Sequence, residues 1–153
     1  LPVNDGKFVT DYFFNAVENG KVENIPFICG YTTDEFCFDG HNAVKDGVEE
    51  YLRLLEKTGA KVKPYTYQFD ISIPGWDNPG KFHSVDLWFW FETLAKCWRP
   101  FTGKWYDASR KMCNYLCNFI KTGDPNGKDC DGSEMEKWEG SSAKEPRFIK
   151  FVE

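Results

Sequence analysis

Residues 25–35 read IPFICGYTTDE. Ile25, Phe27, Ile28 and Tyr31 make an apolar, β-branched and aromatic run, too short for a helix and bounded by Asn24 on one side and Thr32-Thr33-Asp34-Glu35 on the other. Such a run predicts a strand buried on both faces. Residues 43–58 place Val44, Val48, Tyr51, Leu52 and Leu55 on one helical face, with Gly59 ending the pattern. A strand follows at 65–70 (YTYQFD), then the turn-rich PGWDNPG at 74–80. Residues 84–95 (SVDLWFWFETLA) predict a helix with Ser84 placed to cap it and aromatics around much of its axis. The longest helix is expected at 104–122, with Trp105, Ala108, Met112, Leu116 and Phe119 in register, ending at Gly123 before the turn Asp124-Pro125-Asn126-Gly127. A short strand at 147–152 (RFIKFV) closes the order β-α-β-α-α-β, an α/β pattern.

Composition narrows the function classes. The 153 residues include 14 Phe, 7 Tyr and 6 Trp, far too many large apolar groups for a disordered chain. No stretch approaches the ~18 consecutive apolar residues of a membrane span, so no membrane partner is expected. Net charge is −5, from 19 Lys and Arg against 24 Asp and Glu. That balance argues against nucleic acid, whose phosphates need a basic footprint. The opening LPVNDGKFV shows no charged segment before an apolar one, so no signal peptide is read. A chain starting inside a domain would show none either. The compartment stays unread, leaning to the cytoplasm.

Six cysteines, at 29, 37, 97, 113, 117 and 130, suggest a disulfide framework by count but not by position, since no C-x-x-C pair or dense cluster occurs. Reduced, partly buried thiols are the better reading, with Cys113 and Cys117 on one helical face. Cys37 and His41, with Cys29 behind them, fall short of a zinc pattern, and neither metal nor cofactor is expected. Of the two histidines, His41 sits in loop-like composition and reads as a solvated surface residue. His83 follows a strand and a Pro/Gly-rich loop and precedes a helical segment. That is the rim of an α/β sheet, where catalytic groups collect, although position alone favours a structural histidine. Asp34 and Glu35 end the first strand, where a carboxylate could orient His83 or simply cap the next segment. No G-x-S-x-G occurs, and none of the serines at 72, 84, 109, 133, 141 and 142 lies in such an elbow. No H-G-G-type loop or glycine-rich phosphate motif is present either.

The residues also carry a resemblance. Pro2-Val3-Asn4-Asp5-Gly6-Lys7-Phe8, then IPFICGYTTDEF at 25–36, resembles the type-B carboxylesterase family of cholinesterase-like and para-nitrobenzyl-esterase-like α/β-hydrolases. PYTYQFD at 64–70, NPGKFHSVDLWFWF at 78–91, YLCNFIKTGDPNG at 115–127 and the terminal RFIKFV are similar to later blocks of that family, in the same order. The resemblance implies the C-terminal part of an α/β-hydrolase fold, residues 1–153 forming one segment with an incomplete sheet. It implies a serine esterase working through an acyl-enzyme on a small-molecule ester, with Glu35 as the triad acid and His83 as the base. Asp34 matches the acidic residue before that acid, while Ser84 and Trp88 are expected beside the site. The serine and the oxyanion loop would lie in the N-terminal part of the same fold, so the isolated chain is expected to be inactive.

Departures from the family pattern are as informative. Phe36 stands where many members carry glycine. Only 48 positions separate Glu35 from His83, where the family places several helices that wall the substrate gorge. Trp88, Phe89, Trp90, Phe91 and Trp98 are expected mostly to pack a helix on the sheet, with one or two reaching the site. The acidic stretch Asp129–Glu139 reads as solvated surface. An apolar face left bare would favour association, so a homo-oligomer is possible. Two other classes compete: a non-catalytic cholinesterase-like interaction protein, for which Glu35 and His83 would be superfluous, and an aromatic carbohydrate-binding module, which the helical segments disfavour.

Overall fold

The computed structural model describes residues 3–152. Three parallel strands form its sheet in the order β1-β4-β5: β1 (Ile28–Thr32), β4 (Tyr65–Phe69) and β5 (Phe148–Phe151). Ile28 pairs with Tyr65 and Thr32 with Phe69, while Thr66 pairs with Phe148 and Phe69 with Phe151. All three strands therefore end on one rim. The fold is a partial α/β fold whose small sheet leaves β1 and β5 as its two edges.

Helix α2 (Ala43–Lys57) carries the chain from β1 back to the start of β4. Asn42 caps it, its Oδ1 accepting from the Lys45 N–H at 3.0 Å, which satisfies one of the donors left open in the first turn. Its buried stripe is Val48, Tyr51, Leu52, Leu54 and Leu55. Tyr51, Leu54 and Leu55 meet Val17 of a short helix α1 (Phe13–Glu18) in a small apolar cluster. Helix α4 (Gly103–Thr122) lies with the main core, turning Ser109, Met112 and Tyr115 inward. That core joins Phe69 and Phe151 of the sheet to Phe89, Trp90, Leu94, Phe101 and Trp138.

The expected helix over 84–95 is a single turn, α3 (Leu87–Trp90), followed by a 3₁₀ turn at Leu94–Lys96. Ser84 (φ 69°) and Glu92 (φ 49°) adopt left-handed backbone at its two ends, so the helix cannot extend through either. Ser84 consequently does not cap with its side chain; its carbonyl accepts the Leu87 N–H at 3.2 Å. Phe89 and Trp90 are buried, Phe91 and Trp98 exposed. The acidic segment is also less solvated than its charge suggests. Trp138 is 1% exposed, and its Nε1–H donates to the Thr66 carbonyl at 3.0 Å. Cys37, Cys117 and Cys130 are exposed rather than partly buried, and the Cys113 and Cys117 sulfurs lie 4.0 Å apart. Two elements escape the sequence reading: α1, and a hairpin of β2 (Cys37–Phe38) and β3 (His41–Asn42).

Candidate active site at the sheet rim

The rim where the strands end is tied together by polar groups. Thr33 donates its N–H to the Phe69 carbonyl at 3.0 Å and its hydroxyl to Asp70 Oδ1 at 2.8 Å. Asp70 also receives Lys150 Nζ at 2.8 Å and lies 3.5 Å from Lys81 Nζ. Burial works against the Asp70 charge, but the bonds from Lys150 and Thr33 outweigh it and hold its carboxyl below the usual range. These links join the ends of β1, β4 and β5.

Glu35 sits one turn past β1 and is 5% exposed. Its Oε2 accepts the Thr32 N–H at 2.9 Å and faces the Thr32 hydroxyl at 3.4 Å. Its Oε1 bonds His83 Nδ1. A buried carboxylate is costly unless its oxygens are satisfied, and here both are. The pairing commits one imidazole nitrogen to Glu35 and leaves Nε2 as the other. The His83 side chain is 54% exposed, so that nitrogen belongs to a ring accessible from the rim.

The loop bearing His83 is fixed on both sides. Asp34 Oδ2 accepts the Lys81 N–H at 2.7 Å, and the Asp34 N–H donates to the Lys81 carbonyl at 3.2 Å. Gly80 (φ 69°) allows this close approach, because a Cβ there would lie 2.7 Å from Asp34 Oδ2. On the other side, Val85 is fully buried and Asp86 is 6% exposed. Asp86 Oδ2 accepts from the Tyr67 hydroxyl at 2.7 Å and from Trp90 Nε1 at 3.3 Å. Burial, reinforced by the Asp86 charge, pushes the Tyr67 hydroxyl far above its ordinary value and keeps it a donor.

The sequence-derived candidates therefore take different places. Glu35 and His83 meet, and Asp34 braces the His83 loop. Ser84 adjoins His83 in the left-handed turn. Trp88 packs its ring on Phe82 and Phe101, with centroids 5.9 and 6.2 Å apart. The ring actually lying on His83 is Phe36, at 4.5 Å between centroids. His41 is exposed, 3.7 Å from Asp46. Among the described residues, no group of three His, Cys, Asp or Glu side chains could hold a metal ion. An open apolar groove of about 720 Å³ lies apart from this pair, between α1, α2 and the start of β1. Phe13, Phe14, Val17, Val44 and Tyr51 line it together with Cys29, whose thiol is pushed up to about 12 by burial.

The family model for the carboxylesterase family matches residues 41–153, well over half of the chain. The chain belongs to the carboxylesterase family. Solved structures extend the likeness in fold to nearly the whole of this carboxylesterase-family chain. Carboxylesterase Est55 of Geobacillus stearothermophilus superposes with a TM-score of 0.75 at 19% identity, over 99% of this chain and 40% of that one. A PNB esterase does so with a TM-score of 0.69 at 18% identity, over 99% and 39%. An esterase from anaerobic Clostridium hathewayi that hydrolyses aliphatic aromatic polyesters gives a TM-score of 0.59 at 22% identity, over 71% and 21%. At these identities what is shared is the fold. The carboxylesterase-family chain thus spans well under half the length of these structures. No curated protein sequence matches it.

Proposed function

We propose that this chain is the C-terminal segment of a serine carboxylesterase, with His83 as general base and Glu35 as the acid that orients it. The observation carrying this reading is the buried Glu35 carboxylate bonded to His83 Nδ1 on a sheet rim. In the proposed reaction a serine hydroxyl supplied by the N-terminal part of the fold gives its proton to His83 Nε2 as it attacks the ester carbonyl. Glu35 stabilises the imidazolium formed. The proton then passes to the departing alcohol, leaving an acyl-enzyme that water opens by the same route in reverse. The substrate is a small-molecule carboxylic ester. The edge of β1 and the apolar groove beside it are where the remainder of the fold is proposed to dock, and the same bare surface would otherwise favour self-association. No nucleic acid, membrane or cofactor takes part in this reading.

The test is hydrolysis of a p-nitrophenyl ester by the full-length protein. The parent should turn over and His83→Ala should lose at least about a thousandfold in kcat. The isolated 153-residue chain should be inactive. Activity in the full-length protein that survives His83→Ala would refute the assignment.

A further inference from the structure

Phe36 has a left-handed backbone, φ 40°, that a residue with a Cβ adopts only at a cost. It is 49% exposed, so burial does little to offset that cost. What the conformation achieves is visible in its ring, which lies against the His83 imidazole at 4.5 Å and a tilt of 37°. Strain of this kind persists only where the surroundings fix it. Here Glu35 precedes Phe36 with a buried, bonded carboxylate, and the β2–β3 hairpin follows it. Asn42 at the foot of that hairpin donates its amide to the Thr32 and Thr33 carbonyls at 2.8 and 3.1 Å. Phe36 is thus suspended between two anchors, both attached to the end of β1.

Two consecutive residues therefore restrain one imidazole in two ways. Glu35 holds its Nδ1 edge and Phe36 covers one face. The neighbouring charges are engaged elsewhere: Lys81 with Asp70, Asp34 with the Lys81 backbone, and Asp86 with Tyr67 and Trp90. With over half of its side chain exposed, His83 has little else to stop its ring from turning about Cβ–Cγ and carrying Nδ1 off the carboxylate.

We propose that Phe36 is a positioning residue that clamps the His83 imidazole, keeping Nδ1 on Glu35 and Nε2 turned outward. Its catalytic consequence rests on the esterase reading above; the clamp does not. The test compares the full-length protein with Phe36→Leu, which keeps bulk but removes the aromatic face, Phe36→Tyr, which keeps the face, and Phe36→Gly, which relieves the backbone. The primary readout is nitrogen-15 NMR of labelled histidine, with the His83 signal assigned by its loss in His83→Gln. The Nδ1–H signal should be slow to exchange in the parent and in Phe36→Tyr. Exchange should quicken about threefold to tenfold in Phe36→Leu and Phe36→Gly, the scale of a contact between two aromatic rings. kcat on a p-nitrophenyl ester should fall by about the same factor with KM unchanged, and Phe36→Tyr should restore it. Parent-like exchange in both Phe36→Leu and Phe36→Gly would overturn the clamp, whatever the activity. A fall in kcat without altered exchange would overturn it too, since the ring would then not act through His83. Faster exchange in a protein that hydrolyses no ester would uphold the clamp and refute the esterase reading alone.

Discussion

Replacing Glu35 by glutamine probes the site at its most constrained atom. The change keeps the side-chain volume in a pocket where Glu35 is 5% exposed, and it converts one carboxylate oxygen into an NH₂ group. Which oxygen is lost follows from the surroundings. The Thr32 N–H at 2.9 Å and the Thr32 hydroxyl at 3.4 Å both face Oε2, so the amide oxygen takes that position and the NH₂ falls opposite His83 Nδ1. A donor there requires Nδ1 to carry no proton. The imidazole proton then sits on Nε2, the nitrogen that must accept the serine proton, and the base is disabled while its position is kept. In a Ser-His-Asp triad the equivalent acid-to-amide change costs about 10⁴ in kcat, close to 5 kcal/mol of transition-state stabilisation. The same loss is expected here in the full-length protein, measured as initial rates on a p-nitrophenyl ester with kcat and KM separated. Folding should change by no more than about 1 kcal/mol in urea titration, because the Thr32 bond is retained. A drop in kcat below tenfold in a folded variant would refute the argument that Glu35 fixes the imidazole tautomer.

Three further outcomes follow from the same geometry. Gly80→Ala meets both a φ of 69° and the Asp34 carboxylate at 2.7 Å; it should cost about 1–2 kcal/mol in urea denaturation, and an unchanged midpoint would contradict the Asp34–Lys81 brace. Trp138→Ala removes a fully buried ring and its bond to Thr66, and should cost about 3–5 kcal/mol, read as a loss of cooperative melting or a large fall in midpoint. Stability should also fall with alkali. The Cys29 thiol is raised from 9.0 to about 12 in the folded chain, so above pH 9 the unfolded state holds fewer protons than the native one. Unfolding is then favoured progressively up to pH 12, and Cys29→Ala should flatten that decline in pH-dependent melting.

The sequence signals that succeeded were those whose cause is local. The apolar run at 25–31 and the 3.6-residue spacing of Val48, Tyr51, Leu52 and Leu55 mark β1 and α2 because burial alone dictates them. The helix over 84–95 failed because no glycine announces the left-handed turns at Ser84 and Glu92; tertiary packing of Phe89 and Trp90 imposes them. The β2–β3 hairpin had a readable signal in Asp39-Gly40, whose positive φ values of 50° and 82° suit a tight two-residue turn. Trp138 was hidden by its charged neighbours. The meeting of Glu35 with His83 spans 48 residues, beyond any local periodicity; the residues alone offered it as one of two readings, and the family resemblance singled out Glu35. Phe36 was marked as a departure from that pattern, but its contact with the imidazole required the backbone.

The position of β5 has a consequence for synthesis. The middle strand β4 is bonded on one side by a segment more than eighty residues further along, Phe148–Phe151, and the Asp70 N–H is bonded by Phe151 itself. Contacts so distant in the chain are slow to form. During translation, at roughly 5–20 residues per second, β4 therefore waits several seconds with one edge and the aromatic side chains beneath it uncovered. Thr66, Gln68 and the rings of Tyr67 and Phe69 are the segment a nascent-chain chaperone would have to shield, and a ribosome pause anywhere between β4 and β5 would prolong that exposure by its own length.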